Sequence, residues 1–352
     1  MLKLKTYFIQ TFGCQMNEAD SERMAGVFEK KGYQLAKKIE KAEVIVINTC
    51  SVRESAENRV FGLINNLSQQ KKKDQKIIVT GCILGSALGE KRRYTLRQLK
   101  KKLPQVDEFK TIEELVTSEK VKPKRKKKVS ALVSIMEGCD NFCSYCVVPY
   151  ARGKEISRPF EEIIGEVETL AKRGYQEIIL LGQNVNSYGK GLKPERKFSD
   201  LLRQLHEIKG IKKISFLTSN PWDLTDDIIE AMSLPKISRE LHLPVQSGDN
   251  QILKKMNRPY TAFQYLKLVV KIKKKIPNIQ ISTDIIVGFP EETREAFENT
   301  VKLCQKVGFV KAYIAKYSSR PGTTAFKLKD NVLPKEKKQR WQILEKLINK
   351  KS

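Results

Sequence analysis

No stretch of the 352 residues is apolar for the length a membrane span needs, and the first residues lack the apolar core of a secretory leader. The chain is therefore expected to be cytoplasmic, with no membrane partner. Histidine is nearly absent, with only His206 and His242, so no histidine pair stands ready to close a zinc tetrahedron. Acidic residues are scarce beside basic ones, Asp+Glu 40 against Lys+Arg 67, which gives a net charge of +27. That balance attracts polyanions and makes nucleic acid the leading partner, the plainer alternative being a surface that is lysine-rich for no such reason. Seven cysteines, an odd number scattered along the chain, do not make a disulfide framework and fit a reducing compartment. The length is too great for one core and implies at least two domains.

Against these absences stands one dense feature, Cys139-Asp140-Asn141-Phe142-Cys143-Ser144-Tyr145-Cys146, which follows the apolar run 129–136. Three thiolates so close together can converge on one soft centre, as in iron–sulfur sites. Neither a fourth nearby cysteine of ferredoxin type nor a second Cys or His pair follows, since the next cysteine is Cys304. A four-iron cube held by three thiolates keeps one iron open to a non-protein ligand. A structural zinc loop is the alternative reading of the motif.

Before this loop, apolar β-like runs at 3–10, 43–48 and 76–80 alternate with helical stretches. The first helix is expected from Asn17, as its cap, to about Lys31, and the second from Val52 to about Ser68. This βαβαβ rhythm predicts an open parallel sheet covered by helices. Each run ends within a few residues of a cysteine: Cys14, Cys50 and Cys82. Ligands of parallel sheets bind at the carboxyl ends of strands, so these three thiols are expected to meet at one edge and hold a second cluster. Three unrelated buried thiols are the alternative.

After the loop, runs at 177–181, 213–217, 240–245, 280–287 and 310–315 join 129–136 to make six βα units, too few for a closed eight-stranded barrel. The fold class is thus α/β, an N-terminal open parallel sheet plus a (βα)6 partial barrel. The expected divisions are 1–120, a basic linker at 121–128 built on Lys122-Pro123-Lys124-Arg125-Lys126-Lys127-Lys128, and 129–345. Such a linker is read as solvated, with contact to RNA phosphates as a second use.

The cysteine loop, with Tyr145 before its last cysteine, resembles that of the radical S-adenosylmethionine enzymes. The resemblance implies that the open iron chelates S-adenosylmethionine, which is cleaved reductively to a 5′-deoxyadenosyl radical. Thr11-Phe12-Gly13-Cys14-Gln15-Met16-Asn17, Asn48-Thr49-Cys50-Ser51-Val52-Arg53 and Thr80-Gly81-Cys82 resemble the N-terminal domain of the methylthiotransferases within that group. Leu243-Pro244-Val245-Gln246-Ser247-Gly248, Met256-Asn257-Arg258 and Tyr317-Ser318-Ser319-Arg320-Pro321-Gly322-Thr323 extend the likeness, which runs from about residue 5 to 341.

Likeness to the methylthiotransferases implies an enzyme with two [4Fe-4S] clusters. Cys139, Cys143 and Cys146 would hold one, and Cys14, Cys50 and Cys82 a second that carries sulfur. One S-adenosylmethionine supplies a methyl group and another the radical. The strings around Cys14 and Cys50 match the branch that modifies isopentenylated adenosine in tRNA better than those acting on threonylcarbamoyl-adenosine or a ribosomal aspartate. A zinc RNA-binding protein and an iron–sulfur electron carrier remain as alternatives. The implied partners are tRNA and an electron donor of flavodoxin or ferredoxin type, the sulfur donor being unknown.

Gln183, Asn184, Gln246 and Gly288 are the expected contacts to S-adenosylmethionine, and Arg152, Arg158, Arg258 and Arg320 the candidates for substrate phosphate. His242 is set aside as a core histidine and Cys304 as a packed thiol. Members of the family typically continue into a small β-barrel that grips tRNA, for which the residues after 323 leave no room. RNA affinity is then expected from the basic faces of the other domains.

Overall fold

In the computed structural model, which describes residues 5–51, 54–89, 94–116 and 121–350, the chain forms two compact units, Met1–Lys128 with Val147–Lys154, and Val129–Cys146 with Glu155–Ser352. Residues 3 and 4 of the first expected strand, Val52 and Arg53, and the expected boundary at 120 lie outside the described residues.

The first unit runs β1 (Thr6–Thr11), α1 (Gln15–Lys30), β2 (Gln34–Leu35), β3 (Val44–Thr49), α2 (Glu54–Gln69), β4 (Lys76–Gly81), α3 (Cys82–Leu88), α4 (Leu96–Lys102), β5 (Glu108–Phe109) and α5 (Ile112–Leu115), with α6 (Val148–Arg152) returning to it. The strands form one sheet in the order β2-β1-β3-β4-β5, and every pairing is parallel. Burial explains why β3 and β4 are continuous apolar runs. Ile45, Ile47, Ile77 and Val79 pack with Val60, Ile64, Ile83 and Leu84 in one cluster, while Val46 and Ile78 pack with Met24 and Leu115 in another. Alternate residues of a strand point to opposite faces, so each strand feeds both.

Two expectations for this unit change. Asn17 does not cap α1; Cys14 holds the N-cap position, and Asn17 lies buried in the first turn, where its amide serves the sheet edge. The basic run is not a solvated tether. Lys124 N donates to Glu22 O at 2.8 Å, Lys126 N to Glu22 Oε1 at 2.9 Å, and Arg125 pairs with Glu22 at 3.0 Å with both side chains out of solvent. A carboxylate on α1 thus fixes the segment, while Lys122, Lys126, Lys127 and Lys128 remain exposed.

The second unit contains six parallel barrel strands in chain order: β6 (Ser130–Ser134), β9 (Glu177–Leu181), β10 (Lys213–Phe216), β11 (Glu240–His242), β12 (Gln280–Val287) and β13 (Lys311–Lys316). Between β6 and β9 come β7 (Met136–Glu137) and β8 (Ile156–Ser157), an antiparallel pair that brackets the cysteine loop. The barrel strands pair as β10-β9-β6 and β11-β12-β13, and a parallel bridge between Ile214 and Ile237 carries the wall from β10 towards β11. Helices α7 (Phe160–Lys172), α8 (Phe198–Glu207), α9 (Asp226–Met232), α10 (Asn250–Lys255), α11 (Ala262–Lys275), α12 (Arg294–Val307) and α13 (Pro334–Leu344) follow in chain order. Val167, Leu201, Ile229, Ile272 and Leu303 from five of them join the strands in one large core. The partial barrel of six βα units is as expected. Cys304 is buried in that core, as a packed thiol should be.

Candidate functional site

Two cysteine sets need separate description, because the fold positions them by different means. In the first unit, Cys14 caps α1 just after β1, Cys50 follows β3 and Cys82 opens α3 directly after β4. Strands β1, β3 and β4 are neighbours, with Thr11 opposite Asn48 and Thr49 opposite Gly81, so their carboxyl ends are level. The three cysteines therefore stand on adjacent turns of one sheet edge, where parallel sheets bind ligands.

A buried network ties those turns together. Asn17 Nδ2 donates to Asn48 Oδ1 at 3.1 Å and to Thr49 O at 3.0 Å, while Asn48 Nδ2 donates to Asn17 O at 2.8 Å and to Ser21 Oγ at 3.0 Å. Thr49 Oγ1 donates to Thr80 O at 2.5 Å and accepts from Ile83 N at 3.1 Å. Cys14 Sγ lies 3.4 Å from Asn17 Oδ1. Gly81 is required here, since its φ is +85° and a Cβ would lie 2.5 Å from Asn48 Oδ1.

In the second unit the loop itself supplies all three thiols, with Cys139 buried and Cys143 and Cys146 partly so. Burial pushes the Cys139 thiol up to about 11, so the free side chain keeps its proton at neutral pH and becomes a thiolate ligand only as a metal displaces it. The loop is held from residues 255–258. Ser144 N donates to Met256 O at 3.0 Å, Ser144 Oγ to Lys255 O at 2.7 Å, and Asn257 Nδ2 to Phe142 O at 2.9 Å. Tyr145 packs against the cluster of Ile252, Met256, Phe289, Ala296, Tyr317 and Ala325. Among the described residues no three His, Cys, Asp or Glu side chains are grouped to hold a single metal ion. An iron–sulfur cube instead takes its thiolates at separate corners, and two sets of three thiols are donors of the right chemistry for it.

Beyond the cysteines, the barrel strands end in polar side chains. Buried Gln183 Oε1, Asn186 Oδ1, Ser219 Oγ and Gln246 Oε1, at the carboxyl ends of β9, β10 and β11, have no hydrogen-bond partner. Unsatisfied buried polar atoms are costly, so they fit a polar ligand at this rim. Asn184 differs, because its Nδ2 donates to Asp223 Oδ2 at 2.6 Å and its Oδ1 accepts from Asn220 N at 3.3 Å. Burial holds the Asp223 carboxyl above its ordinary range. Gly288 is left-handed, φ +68°, and a Cβ there would lie 2.3 Å from Lys337 Cγ. The space on the Cβ side of this glycine is filled by Lys337 of α13.

Of the four arginines expected at phosphate, Arg152, Arg258 and Arg320 have buried side chains and Arg158 is partly exposed. Arg152 is paired with Asp20 at 2.8 Å with both side chains buried, and Arg158 donates to Ser134 O at 2.5 Å and Glu166 at 2.9 Å. Arg320 is buried in the 317–323 turn, where its carbonyl accepts from Thr323 Oγ1 at 2.7 Å. Arg258 is buried beside Cys143. Partners within the protein hold the guanidinium groups of Arg152, Arg158 and Arg258. Ser219-Asn220 stands at a strand's carboxyl end, where such sites are expected, but Trp222 and Asp223 carry no signal of their own in the sequence beyond following that polar string.

Comparison with known proteins decides the family. Residues 6–109 match the uncharacterized protein family UPF0004, and residues 133–304 the radical SAM superfamily. A tRNA-2-methylthio-N(6)-dimethylallyladenosine synthase of Clostridium perfringens is 44% identical over 99% of this chain and 83% of its own length. The chain belongs to the family of these synthases. A synthase of the same name from Clostridium botulinum is 44% identical over 97% of this chain and 81% of its own length. Among solved structures, the radical S-adenosylmethionine methyltransferase TsrM of Kitasatospora setae, with cobalamin and a [4Fe-4S] cluster bound, aligns at a TM-score of 0.62 with 13% identity over 92% of this chain and 77% of that one. The cobalamin-dependent radical enzyme OxsB aligns at 0.59 with 11% identity over 97% and 56%. At such identities these two show a shared fold and nothing further. Among the described residues no helix is long and apolar enough to cross a membrane.

Proposed function

We propose that this synthase-family chain is a transferase that places a methylthio group on C2 of N6-isopentenyladenosine, the dimethylallyladenosine of its relatives' names, next to the tRNA anticodon. The observation that carries the reading is 44% identity over 99% of the chain to synthases named for that product. The same chemistry on threonylcarbamoyl-adenosine or a ribosomal aspartate is the reading to be tested against it. The partners are tRNA and an electron donor of flavodoxin or ferredoxin type.

The target is a carbon–hydrogen bond on an aromatic ring, which offers no acidic proton, so general acid–base groups alone do not suffice. When bound, two [4Fe-4S] clusters and S-adenosylmethionine supply the one-electron and sulfur-transfer chemistry that such a bond needs. Cys139, Cys143 and Cys146 ligate one cluster, on a loop fixed by residues 255–258. Cys14, Cys50 and Cys82 ligate the other across three strand ends. Gln183, Asn186, Ser219 and Gln246 present the unpaired oxygens that receive the polar groups of S-adenosylmethionine. Asn184 acts one step back, holding Asp223 and the backbone of Asn220.

Anaerobic reconstitution tests the reading, with about eight iron and eight sulfide expected per chain, four of each per cube. Reconstituted protein given reductant and S-adenosylmethionine should convert isopentenylated tRNA to its 2-methylthio form, detected by mass analysis of nucleosides. Colourless protein that binds zinc at both sets, or product only on threonylcarbamoyl-adenosine, overturns it.

A further inference from the structure

Arg258 is 5% exposed, and its fork is spent on neutral groups. Nη2 donates to Pro244 O at 2.7 Å, Nη1 to Asn220 Oδ1 at 3.2 Å, and Nε to the Tyr260 hydroxyl at 3.3 Å. The guanidinium lies over Trp222, 4.5 Å from the ring centroid, and 5.3 Å from that of Tyr260. None of its hydrogen-bond partners is a carboxylate. A cation withdrawn from water without a counter-charge is costly, and ring faces offset only part of that cost. Among its hydrogen-bond partners the Cys143 thiol is the one that becomes an anion on ligating a metal, and Nη1 points at Cys143 Sγ from 3.6 Å.

We infer that Arg258 is a positioning residue for the cluster loop, a fixed positive charge that donates to the Cys143 sulfur once that sulfur ligates iron and so raises the cluster's affinity for an electron. The inference rests on the reading of Cys139, Cys143 and Cys146 as cluster ligands. The surrounding geometry keeps the contact in register. Asn257, held at φ +55°, ties the Phe142 carbonyl to the stretch of chain that carries Arg258, and Ser144 is bonded to Lys255 and Met256 on the same stretch. Hydrogen bonds to cluster sulfurs and nearby net charge are among the factors that set cluster potentials. Left-handed backbone is tolerated by asparagine better than by most residues, which suits Asn257 to this turn.

The test is an electron paramagnetic resonance titration of the reconstituted full chain without S-adenosylmethionine, comparing wild type, Arg258→Met and Arg258→Lys. Arg258→Met should move the midpoint of the loop cluster to more negative potential and leave that of the other cluster in place. Arg258→Lys, which keeps the charge but not the planar fork, should fall between. Unmoved midpoints in variants that retain their iron overturn the inference. So does a change confined to S-adenosylmethionine affinity, which would make a bound carboxylate the counter-charge instead. If Arg258→Met does not fold, Asn257→Gly supplies an independent arm, because it keeps the left-handed turn and removes only the Phe142 tie. Because it loosens the register of the Arg258 contact, it should lose loop-cluster iron faster under chelator and move the loop-cluster midpoint in the same negative direction by less than Arg258→Met, and a wild-type midpoint overturns the inference. The underlying ligand reading fails separately, if the Cys139→Ala, Cys143→Ala, Cys146→Ala variant keeps its full iron content.

Discussion

The two cysteine sets offer the same donors, three thiols each, but the molecule assembles them in opposite ways. Cys139, Cys143 and Cys146 share one short loop, so covalent spacing brings them together before any long-range packing. Cys14, Cys50 and Cys82 lie on three turns and meet only because β1, β3 and β4 are adjacent and level at their carboxyl ends. The loop depends on a clamp from residues 255–258, whereas the edge depends on an asparagine and threonine network whose failure at one turn reaches the others. The first site should therefore survive disturbances that the second does not.

The sharpest way to break that comparison is to remove each set entirely. The Cys139→Ala, Cys143→Ala, Cys146→Ala variant should lose reductive cleavage of S-adenosylmethionine altogether and keep about half of the iron, because a methyl group cannot ligate it. The Cys14→Ala, Cys50→Ala, Cys82→Ala variant should keep cleavage and lose thiomethyl transfer. If both variants lose the same activities, the two sets do not divide the work.

A smaller effect sharpens the dependence on the sheet. Gly81→Ala drives a methyl group to 2.5 Å from Asn48 Oδ1 and 2.6 Å from Thr49 O at a φ of +85°. We expect destabilisation on the order of 1–3 kcal/mol in urea unfolding of the metal-free chain. Iron held by the edge set should fall, while cleavage of S-adenosylmethionine by the loop set continues. Gly153→Ala is the control, since its φ is +77° but no atom lies within 4 Å of the added methyl. It should cost about 1 kcal/mol and leave iron content unchanged. Equal iron loss in both would mean that backbone strain alone, not the Asn48 network, governs the edge.

How far the sequence reached obeys the same division. The six barrel strands and the parallel sheet were legible because β-branched apolar runs punctuated by polar turns carry a local signal. The cysteines at strand ends were legible because position within a βα repeat implies a place on the sheet. Side-chain partners were not. Arg152 with Asp20, Arg258 with Cys143 and Lys337 beneath Gly288 join positions far apart in the chain, and no spacing announces them. Asn17 misled for a related reason. An asparagine near a helix start reads as a cap, yet the buried amide of Asn48 competes for it and wins.

The seventh cysteine supplies the smallest prediction and a baseline for the other six. Cys304 lies in α12 within the barrel core, and burial pushes its thiol up to about 12. It should resist alkylation at neutral pH in the folded chain, because the nucleophile is the thiolate. Cys304→Ala should leave iron, sulfide and both activities unchanged and cost about 1 kcal/mol through the small void it leaves. The pH dependence gives the sign. A thiol whose folded value is raised contributes stability that is complete below its ordinary value of 9.0 and is lost as pH rises towards about 12. In that window the unfolded chain has released the proton and the folded chain still holds it, so stability falls by up to about 1.4 kcal/mol per pH unit. Cys139, raised by burial to about 11, adds a similar decline in the metal-free chain, so the comparison is between wild type and Cys304→Ala prepared alike. The variant should lose less stability between pH 9 and the upper end of that window. Identical slopes would show that the Cys304 thiol meets water, and would remove it as the inert reference against which the six proposed ligands are judged.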